Sequence, residues 1–525
     1  GFQETPTARK LAAENAALYQ ELGTAILENK DIRKLICDLF EKLPEKQKAL
    51  LETLTGGGDP LNSLDSLKNG VVTAGIFYIE KIDLGSLGGI EKMPDMAMII
   101  ALKDECPKLA EFLNKVEKLA PVKIAGKDAY QYKNLYVCLD KKRLVAALGE
   151  QTFVKALDSI GKKDPCVLDN PHFQKLLGTE QADAVVFCDL EGYSIMDEKI
   201  AKSVKADLEP WGLTNFKAFA SVIKIQNLTQ FENTSKGLFD GESIVYDILA
   251  QRTLGSQNML KFARADDALA LAVAVPQLTE SLETSLCAAL GDKANIISEV
   301  KEDPSFQAIN GNLKELYLGL QFGDFAKMVA GKIPALTLVG QFEDVEKLLK
   351  LPMLQMMMNM PGMPVSSIDG LTVLSLPRDA ETTIHLFAEP ASNRFAVSTL
   401  KDPAQAVALV LGKGKTLADS PTAAEICDQL PNTGCIQGYV NYLSYMKMIL
   451  ENMNYLVTEL PEDETLKFTH TLLQKFAPLY KRYDIAGELS AKDGIVEQKT
   501  FYYLDMDYAQ AAKMIREFKL PEQKE

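Results

Sequence analysis

Two stretches of this chain repeat one another in order, and that self-similarity restricts the fold more than any local motif does. Leu168-Asp169-Asn170-Pro171 is answered by Ala418-Asp419-Ser420-Pro421, with the two prolines 250 residues apart. A short helical pattern and a strand follow each, Ala184 to Asp189 in one stretch and Cys435 to Asn441 in the other. Upstream, Leu67-Lys68-Asn69-Gly70 leads into Val71 to Glu80, much as Leu313-Lys314-Glu315-Leu316 leads into Tyr317 to Phe325. A Pro-opened strand and an acidic helix come next: Pro94 to Ile100 with Cys106 to Val116, then Pro334 to Val339 with Phe342 to Leu349. Hairpin patterns recur at Leu135 to Leu139 with Arg143 to Leu148, and at Thr383 to Ala388 with Arg394 to Leu400. Asp240-Gly241 and Asp493-Gly494, 253 residues apart, close the two stretches, with expected strands Ile244 to Leu249 and Lys499 to Leu504 behind them.

The recurrence implies an α+β chain: two tandem copies of a mainly antiparallel sheet with helices packed on one face, plus N-terminal helices. The expected division is 1–60 for an N-terminal helical segment, 61–255 for the first repeat and 256–525 for the second. Strands such as Lys217 to Ile225 alternate apolar with polar residues, as a sheet with one covered face requires. Thr7 to Leu27 and Asp31 to Leu54 carry leucines at helical spacing, Leu11, Leu18 and Leu22, then Leu35, Leu39 and Leu43. The apolar strand Ala268 to Val275 has no counterpart near the N-terminus, so its partner is expected to have preceded Gly1 or to have been lost.

The elements Leu417-Ala418-Asp419-Ser420-Pro421 with Tyr439-Val440-Asn441, and Leu168-Asp169-Asn170-Pro171 with Phe187-Cys188-Asp189, resemble a family of large bacterial exported proteins. That family is built on a duplicated α+β unit and has no established function. The chain departs from it at Asn441, where an acidic residue is usual. The resemblance implies export to the periplasm or cell surface, with a membrane tether possible upstream of Gly1. Physically the recurring element is a helix start: Asn170 or Ser420 caps the orphan N–H groups, and Pro171 or Pro421 fills the first helical position. Asp303-Pro304 and Asp402-Pro403 repeat that chemistry.

With 57 Lys+Arg against 72 Asp+Glu, the net charge of −15 disfavours nucleic acid and anionic bilayers as partners, because no local basic cluster offsets it. No run reaches the roughly 18 apolar residues needed to cross a bilayer as a helix. The 8 cysteines lack any CxxC spacing, and Cys138 and Cys188 lie in apolar strands, so free buried thiols are expected over a disulfide framework. Asn227-Leu228-Thr229 and Asn233-Thr234-Ser235 match a glycosylation acceptor pattern that matters only in a secretory pathway that glycosylates.

No catalytic constellation emerges. His172, His385 and His470 are the only histidines, and His172 beside Cys166 would need a lowered thiol pKa. Gly412-Lys413-Gly414-Lys415-Thr416 ends like a phosphate loop, but the required earlier glycine falls on Leu409. Gly85-Ser86-Leu87-Gly88-Gly89 lacks the dinucleotide-binding pattern. The least ordinary segment is Pro352 to Pro364, where Met353, Met356, Met357, Met358, Met360 and Met363 place six thioethers in eleven positions. Thioethers fill irregular gaps in a core, form adaptable apolar contact surfaces, or ligate Cu(I). Packing is the plainest of these readings and an apolar contact surface the next. No cofactor and no metal is assigned. The expectation is an exported, non-catalytic binding or scaffolding protein of the bacterial envelope, with a protein partner. The alternative is a carrier of lipid or another apolar ligand held between the two repeats.

Overall fold

The computed structural model describes residues 120–159 except 133, 141 and 142, residues 170–190 except 179, 181 and 183, and residues 208–517 except 228, 256–258, 322–333, 361, 380–381 and 461. It also describes the strand backbones at 72–79 and 96–102 and a few positions between 21 and 30. The expected helices at Thr7 to Leu27, Asp31 to Leu54 and Cys106 to Val116 lie largely or wholly outside the described residues, as do the Gly85 to Gly89 loop and Cys166.

The chain is α+β with antiparallel sheets, in two compact units. One unit contains 1–207, 217–227 and 508–525; the other contains 208–216 and 228–507. In the first, β1 (Val72–Ile79), β2 (Met96–Leu102), β3 (Ala120–Ile124), β4 (Lys127–Tyr132), β5 (Leu135–Asp140) and β6 (Arg143–Leu148) form a sheet in the order β1-β2-β6-β5-β4-β3. The helix Glu150–Ser159 buries Phe153, Ala156 and Leu157 against Val145, Ala147 and Tyr136 of that sheet. β7 (Ala184–Asp189) pairs antiparallel with β8 (Phe216–Ile225).

The second unit holds β9 (Gln230–Phe239), β10 (Leu269–Ala274), β11 (Leu313–Leu320), β12 (Leu336–Phe342), β13 (Val365–Ile368) and β14 (Leu371–Pro377). It also holds β15 (Thr383–Glu389), β16 (Arg394–Ser398), β17 (Ile436–Asn441), β18 (Tyr480–Lys492) and β19 (Ile495–Met506). They run β13-β14-β15-β16-β12-β11-β10-β17-β18-β19-β9, every neighbouring pair antiparallel. Advance each strand of the six-stranded sheet by ten places and its order becomes β11-β12-β16-β15-β14-β13, the order at one end of this sheet.

The main core lies on one face, where Ala272, Tyr317, Val339, Ala396, Phe387 and Val373 are direct cross-strand neighbours and all are buried. The helices Pro403–Val410 and Pro421–Cys427 cover it with Ala406, Val407, Val410, Ala423 and Ile426. A smaller cluster, Phe342, Val345, Leu348 and Leu351, forms at one end through β12 residues of opposite parity.

One expected element differs. Ile244 to Leu249 is a helix, Ile244–Ala250, rather than a strand: Ser243 is extended and its hydroxyl accepts from the Tyr246 N–H, which starts a helical turn. Asp240-Gly241 therefore precedes a helix, whereas Asp493 and Gly494, with φ of 53 and 77, make the tight turn of the β18–β19 hairpin.

Candidate functional site

Strand alternation gives the larger sheet two unlike faces. On the core face β10 contributes only Ala270, Ala272 and Ala274, all buried. On the other face it contributes Leu269, Leu271 and Val273, all only half-buried. The register extends this second face across seven strands. Leu386, Val397, Leu338, Leu318, Leu271, Gly438 and Gly487 are direct partners in succession. A parallel row runs Leu336, Leu320, Leu269, Val440, Ile485, Tyr502 and Phe231. Every residue of both rows is half-buried. At about 4.8 Å per strand each row is roughly 30 Å long.

Two features shape this face. Gly438 pairs directly with Gly487. Gly438 lacks a positive φ, and a Cβ built on it meets only Leu271 Cδ1 at 3.7 Å and Ala270 O at 3.9 Å. A glycine in mid-strand with neither a turn nor crowding to require it leaves a notch beside Leu271. Beyond that notch stand tyrosines: Tyr442, at the start of the helix Tyr442–Glu459, lies 4.4 Å from the Tyr483 ring, and Tyr480 lies 6.0 Å from it. Burial raises the Tyr483 pKa, and Tyr442, Tyr502 and Tyr480 add to the effect.

Acidic and titratable side chains are concentrated on the core face instead, where each is engaged. Glu488 accepts from the N–H groups of Asn432 at 2.8 Å and Thr433 at 2.9 Å and from Gln437 Nε2 at 2.8 Å. Asp484 accepts from Tyr439 Oη at 2.9 Å and Arg482 Nε at 2.6 Å. Burial and the Asp484 charge hold the Tyr439 phenol well above its usual range. Glu315 accepts from Tyr317 Oη and the Gly255 N–H. Asp267 accepts from Arg264 N at 2.8 Å and Nη2 at 2.9 Å, yet burial still raises its pKa.

Of the histidines, His172 Nδ1 faces Asp189 Oδ1 at 3.4 Å, and Asn170 Nδ2 donates to Asp189 Oδ2 at 2.6 Å. The landmark helix start and its following strand thus touch through the cap residue itself. His385 Nδ1 meets Ser375 Oγ at 2.9 Å, but its Nε2 is buried with no hydrogen-bond partner and no carboxylate orients it. Burial lowers its pKa, partly offset by the Leu400 backbone and Asp402. A cavity of ≈ 560 Å³ is lined by Arg264, Gln321, Leu400, Lys401 and Asp402. Two of its charged groups are committed elsewhere: Arg264 to Asp267 and Asp402 to the Ala404 N–H. Among the described residues, no group of three or more His, Cys, Asp or Glu is placed to hold a metal ion. Cys287, Cys427 and Cys435 are free thiols, and burial pushes Cys427 up to about 12.

The methionine segment divides. Pro352 opens the helix Pro352–Met358, whose Leu354 packs on the cluster of Val345, Leu348 and Leu351. Met357, Met358 and Met363 are half-buried. Met353, Met356 and Met360 are 55%, 67% and 56% exposed, so packing does not account for them.

Sequence reasoning did not find the leucine face. Its strands look apolar on both sides, and only register separates the alanine side from the leucine side.

No family model matches the chain, and no curated protein matches it. Among solved structures, crystal forms I and IV of TP0453 align with 50% of this chain and with 98% and 97% of theirs, at 10% identity and TM-scores of 0.23 and 0.22. At those scores the likeness carries no argument. No helix among the described residues is long and apolar enough to cross a membrane.

Proposed function

We propose that this chain is a non-catalytic binding protein whose ligand is apolar. One observation carries the reading: two continuous rows, mostly leucine, valine and isoleucine, are left half-buried across seven strands each, while the buried face of β10 carries only alanines. Fully burying a leucine side chain contributes about 1.5–3 kcal/mol, so a chain under selection for stability alone would place its bulk on the buried side. An apolar occupant on this face recovers that contribution. The commitment of the buried carboxylates to internal donors supports the non-catalytic part, since a general acid or base needs a free proton position.

Tandem duplication of one α+β unit belongs to the same reading, supported by the common strand order of the two sheets. Placement in the bacterial envelope rests on the family resemblance alone, and fractionation of native cells tests it. A scaffold that grips a protein partner is the second form of the reading. Mass spectrometry of organic extracts from the purified protein separates the two. Reproducible, stoichiometric lipid supports the carrier. Its absence, together with no displacement of an environment-sensitive apolar dye by long-chain amphiphiles, leaves the scaffold.

A further inference from the structure

We propose that the tyrosines at one end of the leucine face, Tyr442, Tyr480 and Tyr483, select an apolar ligand that carries a cationic ammonium head. The inference rests on the apolar-ligand reading and adds the charge of the ligand to it. Tyr483 stands two residues before Ile485 on β18, so strand alternation puts both on the same face. The second row ends beside it in aromatic residues, Tyr502 and Phe231, which stack at 4.4 Å with their planes 7° apart. The Tyr483 centroid lies 4.4 Å from that of Tyr442 and 6.0 Å from that of Tyr480. A cation is attracted to a ring when it lies within about 6 Å of the centroid, so one ammonium can reach all three. The leucines, valine and isoleucine leading up to the tyrosines then take the chain, and the rings take its head.

Three observations favour a cationic head over an anionic or neutral one. Each of the three rings is only half-buried, and among the described residues no lysine or arginine stands over any of them. The core face is the contrast: there Arg482 lies 3.5 Å over Tyr503, Arg394 5.1 Å from Phe262 and Lys499 5.9 Å from Phe501. The chain thus supplies its own cations to aromatic rings on one face and leaves those on the other without them. The groups whose charge acts on Tyr483 are Tyr442, Tyr502 and Tyr480, with no lysine or arginine among them. A carboxylate or phosphate head would meet no basic side chain there. Burial raises the pKa of Tyr483 and of Tyr502, which keeps both phenols neutral at neutral pH and leaves the attraction to the electron-rich ring faces. The net charge of −15 adds a long-range term of the same sign, drawing cations toward the molecule and repelling anions.

The test uses the full chain, an environment-sensitive apolar dye and three decyl amphiphiles kept below micelle formation: decyltrimethylammonium, decyl maltoside and decanoate. The ammonium probe should displace the dye at about tenfold lower concentration than the maltoside, and decanoate should be the weakest of the three. The ratio of ammonium to maltoside affinity, read within each variant, cancels general changes in the apolar surface. It should fall close to one in Tyr442→Leu with Tyr483→Leu and persist in Tyr483→Phe, which keeps the ring and removes only the hydroxyl. Should the double variant fold poorly, Tyr483→Leu alone is read for a drop of about threefold in the ratio. Tetramethylammonium, the same head without a chain, should leave the dye in place; displacement by it overturns the proposal in favour of a site for free cations. Equal displacement by the three decyl probes overturns the proposal and leaves the apolar-ligand reading standing. A ratio that survives the loss of both rings does the same, because the preference then belongs to the net charge. If no decyl probe displaces the dye, the apolar-ligand reading fails and the proposal falls with it.

Discussion

At the residue scale, the polar groups of the core face act as fasteners between strands. Tyr439 of β17 and Asp484 of β18 are directly bonded, and Arg482 closes the group by reaching Glu425 at 2.6 Å while its guanidinium lies 3.5 Å over the Tyr503 ring. Tyr439→Phe leaves Asp484 with Arg482 but without the phenol, so denaturant unfolding should show a loss of about 1.5–3 kcal/mol, the usual worth of a hydrogen bond to a charged group. An unchanged midpoint would mean that water replaces the phenol. His385 gives a pH dependence whose sign is fixed. Its folded pKa lies below the ordinary 6.5, so the unfolded chain takes up the proton first, and stability present above that pH is lost as pH falls below it. Between pH 7 and pH 5 the parent should therefore lose more stability than His385→Gln. Parallel curves would show that the buried ring titrates normally. None of this was legible in the sequence. A tyrosine and an aspartate 45 positions apart carry no joint signal until the β17–β18 register sets them side by side.

At the element scale, start signals were the most readable features because they are local. Asn170, Asp303, Asp402 and Ser420 each cap a helix that Pro opens at the next residue, as their sequence predicts. Asn170→Ala removes acceptors of the His172 and Phe173 N–H groups and the bond to Asp189. It should cost about 1–2 kcal/mol in the same unfolding measurement, and a cost near zero would show that the helix tolerates an open end. Ile244 to Leu249 reads as a strand in sequence because Ile, Val and Tyr favour strands, yet it is helical. The Ser243 cap overrode that preference, a case of one hydrogen bond deciding between near-equal propensities. The Asp493-Gly494 turn sets the register of β18 against β19 and is correspondingly intolerant. Gly494 has φ of 77, and a Cβ there meets Phe239 O at 2.8 Å. Gly494→Ala should destabilise by more than 1 kcal/mol or so, whereas a neutral result would show that the hairpin can shift.

At the scale of the whole molecule, strand content and antiparallel pairing followed from alternation and from hairpins such as β5–β6 and β15–β16, both placed where the pattern predicts. The sidedness of the sheet did not follow. In Leu269-Ala270-Leu271-Ala272-Val273-Ala274 both parities are apolar, and which becomes the interior depends on the Tyr317 and Tyr439 side chains of neighbouring strands, which fill the space the alanines leave. The leucine face predicts that Leu271→Lys with Leu318→Lys retains a folded sheet by far-ultraviolet circular dichroism but loses at least tenfold in apolar-dye affinity. Undiminished affinity would move the ligand elsewhere. The glycine notch carries that argument one step further. With no strain and no neighbour standing against a methyl group, Gly438→Ala should make the protein harder to unfold, by about 0.5–1 kcal/mol. A tougher variant that grips its cargo less well would mean that the vacancy at position 438 is kept by selection for use, against the pull of durability.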